Sequence, residues 1–223
     1  MTTIYRCQLT LHESLFFATR EIGRLYETGR YLHNYALAYA LGFVATPWFN
    51  REQVPNYSAD LATLRDRIYV TPAEPKEVDF QLATFKYGEE VLHVEMAQAT
   101  RNTPSFGRAK ELSAGSIFQF YVISQEPVRI PRWIRLGKWH SKAMVTSDEV
   151  QPVREEDGFY RAACPLNPLD LPEDVLVAFD IVTMPPASLV ANARCQGRHY
   201  RLGEGTGLPI SMAFGRSGQQ KRR

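Results

Sequence analysis

The alternation of apolar and polar positions predicts that a β-strand opens the chain, at residues 3–12. Tyr5, Cys7, Leu9 and Leu11 share one face of this segment. The same alternation, or a short apolar run between turn residues, predicts further strands. These are RIYVT (67–71), DFQLATFKYG (79–88), VLHVEMAQ (91–98), GSIFQFYVIS (115–124), DVLVAFDIVTM (174–184) and RHYRL (198–202). In RWIRLGKWHSKAMVTS (132–147), a glycine predicts a break between two strand pieces.

A period of 3.6 residues predicts a helix from Thr19 to Gly29 and a second helix over residues 30–41, which Gly42 ends. A short helix is expected near 58–66. The order of one strand, a few helices and then many strands indicates an α+β fold with an antiparallel sheet. We expect the strands at 3–12, 116–124 and 175–184 to share that sheet, with helix 30–41 packed on one face.

Three segments lack a regular pattern. Residues 100–112 are polar, basic and rich in turn formers, which predicts a mobile loop or hairpin tip that a bound ligand would order. Residues 151–174 are acidic and contain proline, which predicts a long surface connection. The glycines at 203–207 predict a turn rather than a phosphate-binding loop, and 216–223 reads as a basic disordered tail.

The charges of the 223-residue chain nearly cancel, at a formal +2, but they are unevenly distributed. Residues 52–95 and 148–180 carry nine acidic residues each, against four and two basic ones. Residues 96–147 carry eight basic residues against two acidic ones, and 181–223 carry seven against one. Either the two basic blocks meet in one positive face, or neighbouring blocks neutralise each other through surface ion pairs.

The three cysteines are far apart and form no CxxC pair, which favours a reducing compartment over a disulfide framework. The opening MTTIYRCQLTLH lacks the apolar core of a signal peptide. These features predict a soluble cytoplasmic protein without a membrane partner.

The five histidines are isolated, with no HxxxH or His/Cys cluster, so no metal or other cofactor is expected. His140 lies between Lys138 and Lys142, where a histidine base and a lysine cation would suit a metal-free ribonuclease. The alternative is that His140 is an ordinary polar position on a strand.

The segment from Pro127 to Ser147 carries five cations and no Asp or Glu. Cations threaded between aromatic rings suit single-stranded nucleic acid, since the cations bind phosphates and the rings stack on bases. Trp139 is the better candidate for exposure, whereas Trp133 fits a core position equally well. The candidate RNA-binding residues here are Arg129, Arg132, Arg135, Lys138, Trp139 and Lys142.

Two other segments repeat this mixture of basic and aromatic residues. PSFGRAK (104–110) and its flank supply a second group of candidates, and ATREIGRLYETGR (18–30) supplies a third. These RNA-binding candidates are Arg20, Arg24, Arg101, Phe106, Arg108 and Lys110.

Three blocks of the sequence also resemble a known family. They are IYRCQLTLHESLFFATREIGRLYETGRYLHNYALAYALG (4–42), PSFGRAKEL (104–112) and ISQEPVRIPRWIRLGKWHSKAMV (123–145). Together they resemble the Csc-one family, the Cas-five-type subunits of subtype I-D CRISPR effector (Cascade) complexes. The resemblance covers roughly residues 3–147.

The resemblance implies a single ferredoxin-like (RRM-like) domain over residues 1–215, with a β-hairpin thumb and long insertions. It implies a non-catalytic subunit of the prokaryotic cytoplasm that caps the 5′ handle of the guide RNA (crRNA). The implied protein partners are a Cas-seven-type backbone subunit (Csc-two type) and a Cas-ten-like large subunit. Target DNA near the flanking motif is a further candidate partner. The alternatives are a metal-independent endoribonuclease for precursor RNA and a protein–protein adaptor.

Overall fold

The described part of the chain is built mostly from antiparallel strands, which form three sheets. A computed structural model describes residues 2–44, 56–87 and 105–216, with the backbone alone at 85–87 and 105–106. The strands of this part are β1 (Thr3–Leu11), β2 (Arg20–Ile22), β3 (Leu25–Glu27), β4 (Ile68–Val70), β5 (Glu74–Glu77), β6 (Phe80–Tyr87), β7 (Ser105–Leu112), β8 (Ile117–Ser124), β9 (Trp133–Leu136), β10 (Ser141–Glu149), β11 (Arg154–Ala162), β12 (Leu176–Val182), β13 (Leu189–Gly203) and β14 (Thr206–Pro209). Its helices are α1 (Asn34–Ala40), α2 (Tyr57–Asp60) and two 3₁₀ turns, Leu61–Leu64 and Pro168–Asp170.

The first sheet has the order β4-β8-β1-β10-β9, and β5 adds to the same side of β8 as β4. β1 lies at its centre, with Cys7 opposite Phe120 on one side and Ser147 on the other. The predicted strands at 3–12 and 115–124 are therefore confirmed. The break at Gly137 is confirmed as well, since it separates β9 from β10.

Helix α1 packs between β4 and β9, the two edge strands of this sheet, with Leu37, Ala38 and Leu41 buried in the core. The predicted helix 30–41 exists but begins later. Residues before it are extended because Leu32 exchanges backbone hydrogen bonds with Ala73. His33 then caps the helix, its Nδ1 accepting from the Tyr35 amide.

The second sheet has the order β2-β3-β7-β6 and corrects two predictions. The helix expected from Thr19 is instead the β2–β3 hairpin, which turns at Gly23 with φ +59°. The loop expected at 100–112 is a strand from Ser105 onward, because β6 pairs with its whole length and β3 pairs with its other edge. The remainder of that prediction, 100–104, lies outside the described residues.

The third sheet has the order β11-β14-β13-β12 and corrects two more. The expected surface connection at 151–174 contains β11, a nine-residue strand paired with β13. The strand expected at 174–184 forms as β12 but pairs with β13, outside the first sheet. β13 is 15 residues long, far beyond the predicted RHYRL, and so provides the edge on which β12 pairs. β12 itself exposes apolar side chains, Val177, Phe179 and Ile181.

One hydrophobic core joins the first and third sheets. A polar cluster lies within it, where the fully buried Asp170 accepts hydrogen bonds from Asn34 Nδ2 (2.8 Å), Tyr69 OH (3.1 Å) and the Gly215 amide (2.7 Å). This carboxylate thus connects α1, β4 and the C-terminal segment.

The result is a mostly β architecture with few helices, rather than an even α+β mixture. The turn expected at 203–207 is confirmed between β13 and β14. The short helix expected near 58–66 forms as α2 and the 3₁₀ turn after it. The predicted strand 91–98 lies outside the described residues, as does the predicted tail beyond Arg216. No helix of the described ranges has the length and apolar character needed to cross a membrane.

Candidate nucleic-acid interface

The turn between β9 and β10, residues 137–140, is held rigidly against the segment that follows β1. Gly137 adopts φ +80°, and a Cβ there would overlap the Leu15 side chain and approach the Phe16 carbonyl oxygen to 2.9 Å. The Lys138 amide donates to that same carbonyl at 2.9 Å. Only glycine fits this position, and it fixes where the next two side chains emerge.

Both tryptophans of the segment lie on the surface. Trp139 is 52% exposed and stacks on Phe16, with ring centroids 4.6 Å apart. Trp133 is 44% exposed, and Lys142 Nζ lies 4.2 Å from its ring centroid. The predicted exposure of Trp139 is confirmed, and the core alternative for Trp133 is wrong.

The cations of the segment differ in their partners. Arg135 Nη1 lies 3.5 Å from Glu13 Oε2 and donates to the His140 carbonyl at 3.0 Å. Glu13, which is distant in sequence, thus provides a negative charge of the kind that the segment itself lacks. Arg129, Arg132 and Lys138 are exposed and form no ion pair with any residue of the described part. The segment from Pro127 to Ser147 therefore keeps an excess of positive charge on the surface.

The other candidates lie on the second sheet. Arg20 donates to Glu27 at 2.8 Å, and Lys110 Nζ lies 3.6 Å from the same carboxylate. The hydrogen bond from Arg20 is the main reason why the pKa of Glu27 is lowered. Arg24 and Arg108 are exposed beside this pair, with the Arg108 amide donating to the Arg24 carbonyl.

The side chains of two candidate residues are not described by the structure. Arg101 lies outside the described residues, and so does the Phe106 side chain. Of the four predicted candidates from this part of the chain, the structure therefore places Arg108 and Lys110 only.

A cleft of about 690 Å³ lies beside the rigid turn and was missed from the sequence. Its lining includes Arg135, Lys138 and His140 from the predicted segment. Aromatic side chains that sequence reasoning did not select line it too, namely Tyr31, His33, Tyr39 and Tyr57. No periodic pattern marked these rings, since Tyr31 precedes α1 and Tyr35, four residues later, is buried against Phe214 outside the cleft.

The opposite blocks of charge partly neutralise each other. On the third sheet, Glu155 pairs with Arg198 at 2.7 Å and Glu156 with Arg201 at 2.8 Å. The 148–180 acids thus offset cations of the 181–223 block, which favours the neutralisation hypothesis for that block.

The three cysteines are buried and free, and burial raises the pKa of Cys7 to about 12. Within 2–44, 56–87 and 105–216, no group of three or more His, Cys, Asp or Glu side chains is placed to hold a metal ion.

Comparison with known families decides the identity of the chain. A family model described as type I-D CRISPR-associated protein Cas5/Csc1 matches residues 2–217. The chain belongs to this family. Cas5/Csc1 membership gives the protein a CRISPR-associated role.

Solved structures similar to this Cas5/Csc1 protein have low sequence identity. A chain of the cryo-EM structure of the type III-B Cmr-beta complex, bound to cognate target RNA and AMPPnP, is 12% identical with a TM-score of 0.49, and 86% of each chain is covered. A CRISPR protein crystallised from Archaeoglobus fulgidus is 12% identical with a TM-score of 0.47, covering 93% of this chain and 98% of that chain. Among curated proteins, no significant match is found.

Proposed function

We propose that this Cas5/Csc1 protein is a non-catalytic guide-RNA-binding subunit that holds the 5′ handle with the β9–β10 surface. The observation that carries the proposal is Trp139, half exposed on the turn beside Lys138, which forms no ion pair within the described residues. Solvent-facing aromatic rings among unpaired cations suit the bases and phosphates of a single strand.

We infer a ferredoxin-like unit inside the first sheet. In chain order, β1, α1, β4, β8 and β10 would supply its first strand, first helix and remaining strands. Their spatial order, β10-β1-β8-β4, supports this, since such a sheet has its first strand between the third and the fourth. The described residues between β8 and β10 contain β9 but no second helix. The β6–β7 hairpin is the candidate for the thumb.

The proposed setting is a ribonucleoprotein of the prokaryotic cytoplasm. Its other members would be a Cas-seven-type backbone subunit and a Cas-ten-like large subunit, in line with the family. Contact with target DNA near the flanking motif belongs to the same proposal.

The first prediction tests the RNA surface through salt dependence. Handle RNA should bind more weakly as salt rises, and Arg132→Ala should flatten the slope of log K against log salt by about 0.7, the value for one single-strand phosphate. Trp139→Ala should weaken binding by about 1–3 kcal/mol without changing the slope, because it removes stacking and no charge. Filter binding across a salt series measures both.

Matched controls lie on other surfaces. Lys76→Ala removes a cation paired with Glu74, and Phe159→Ala removes a ring that is 74% exposed on the third sheet. Neither should change affinity or slope. Wild-type behaviour of both Arg132→Ala and Trp139→Ala would contradict the proposal, and absence of RNA binding even at low salt would favour the adaptor.

The second prediction concerns catalysis. Repeat RNA incubated with the pure protein in EDTA should stay intact, as the proposal of a non-catalytic subunit requires. In a reconstituted system, His140→Ala should leave the length of the mature guide RNA unchanged. A cut product that forms in EDTA and disappears with His140→Ala would establish the endoribonuclease alternative.

A further inference from the structure

The cleft beside the β9–β10 turn has the features of a nucleotide site. We propose that it takes one unpaired nucleotide, with the base among the tyrosines and the phosphate at Lys138. The ligand class is a ribonucleotide, either within the handle RNA or free. The inference rests on the proposed function where it places that nucleotide in the RNA.

The size of the cleft and the aromatic rings that line it are the first argument for a bound base. Its volume of about 690 Å³ falls within the roughly 300–1,000 Å³ of small-ligand sites. Tyr31, Tyr39 and Tyr57 are each only partly buried, so ring surface remains available in the cleft. The Tyr39 and Tyr57 rings lie 6.1 Å apart at 72°. Such an arrangement offers both a ring face and a ring edge to a flat heterocycle.

The charges around the cleft are the second argument, because they bear on where a phosphate would bind. Arg135 and Lys138 line it, whereas no Asp or Glu is among the lining residues of the described chain. Two carboxylates contact lining residues, since Asp60 accepts from the Tyr39 hydroxyl at 2.6 Å and Glu13 Oε2 lies 3.5 Å from Arg135 Nη1. Lys138 is the lining cation that forms no ion pair within the described residues. An anionic group at the cleft would therefore meet Lys138, for which no carboxylate of the described residues competes.

His33 provides the third argument, a buried ring nitrogen that could donate to the base. The residue lines the cleft at 4% exposure, and its Nε2 has no hydrogen-bond partner. Its Nδ1 accepts the Tyr35 amide at 3.2 Å, so the neutral ring carries its proton on Nε2. Burial lowers the pKa of His33 to about 4, although a weak contact with the Ala187 backbone favours the charged ring. The Ala187 contact does not have the geometry of a full hydrogen bond, so a carbonyl or ring-nitrogen acceptor on a base would satisfy the Nε2 donor.

Photo-crosslinking tests the inference on the full chain. Handle RNA carries 4-thiouridine at one position at a time, and peptide mapping locates each adduct. We expect a single RNA position to give adducts on Tyr31, Tyr39 or Tyr57. RNA that binds but never crosslinks to these tyrosines would overturn the inference and leave the proposed function intact.

A substitution provides the quantitative arm. Tyr31 precedes α1, so Tyr31→Ala leaves the helix unchanged, and we expect RNA binding to weaken by roughly 5- to 150-fold, as for one stacked base. Phe159→Ala, with the same change of chemistry on another sheet, should bind as wild type. Equal affinity of Tyr31→Ala and wild type would count against the cleft.

A mononucleotide arm separates the two sources. Uridine 5′-monophosphate should bind weakly and compete with handle RNA if the cleft serves the RNA. Saturable mononucleotide binding that is lost in Tyr31→Ala but does not compete with RNA would assign the cleft to a free nucleotide. If handle RNA fails to bind at all, the proposed function and the RNA-bound form of this inference fail together.

Discussion

Replacing Asp170 with alanine should lower the free energy of unfolding by about 3–5 kcal/mol, the loss typical of breaking a buried charged network. The carboxylate is fully buried and accepts from Asn34, Tyr69 and Gly215, with the Tyr35 hydroxyl at 3.4 Å. Alanine would leave these donors without partners inside the core. Urea unfolding at neutral pH measures the loss.

Asp170→Asn is the matched control, because it keeps the shape of the side chain and removes its titration. Burial raises the pKa of Asp170 to about 6, although the four donors oppose that rise. Since an unfolded Asp titrates near 3.9, the folded state holds a proton that the unfolded state releases between about pH 4 and 6. Wild type should therefore lose about 1–3 kcal/mol relative to Asp170→Asn as pH rises through this window. If the stability of wild type relative to Asp170→Asn instead rises with pH, the four donors outweigh burial and the pKa of Asp170 is not raised.

Gly137→Ala should destabilise the protein by about 2–4 kcal/mol and abolish the proposed RNA surface. Part of the loss comes from a Cβ at φ +80°, and the rest from its overlap with Leu15 and the Phe16 carbonyl. Relieving that overlap moves Lys138 and Trp139 away from Phe16. Urea unfolding and handle-RNA binding measure the two effects.

Gly205→Ala separates the two contributions. Gly205 has φ +61°, but a Cβ there would meet nothing within 4 Å. Gly205→Ala should lower the free energy of unfolding by about 1–2 kcal/mol, the cost of the backbone conformation alone, and leave RNA binding unchanged. Equal losses at the two glycines would mean that the turn moves freely to accommodate a methyl group.

The sequence predicted the elements whose periodicity extends over many residues. β1 alternates over most of its nine residues, and β8 is a mostly apolar run of eight residues, five of them buried in succession. The glycine between β9 and β10 indicated the break between those strands. The β2–β3 hairpin could not be distinguished from a helix in this way. Its strands have three residues each, so Ile22, Leu25 and Tyr26 match a helical spacing while lying on both sides of a turn.

Contacts between residues far apart in sequence explain the other features that sequence analysis did not predict. The acids of β11 indicated a solvent-exposed connection, yet Glu155 and Glu156 face arginines of β13 about 45 residues later. Likewise, the exposed Trp139 of the candidate site was predictable from its neighbours. The approach of Glu13 to Arg135 was not, because 122 residues separate them.

The burial of Phe214 bears on how the nascent chain folds. Its ring packs against Tyr69 at 4.9 Å and Tyr35 at 5.9 Å, beside the amide that binds Asp170. Helix α1 leaves the ribosome early, but its packing partner emerges only after nearly all of the described chain has been translated. Contacts this distant in sequence slow folding. During translation the N-terminal half therefore keeps apolar surface exposed to water until the segment around Phe214, far later in the chain, has been synthesised.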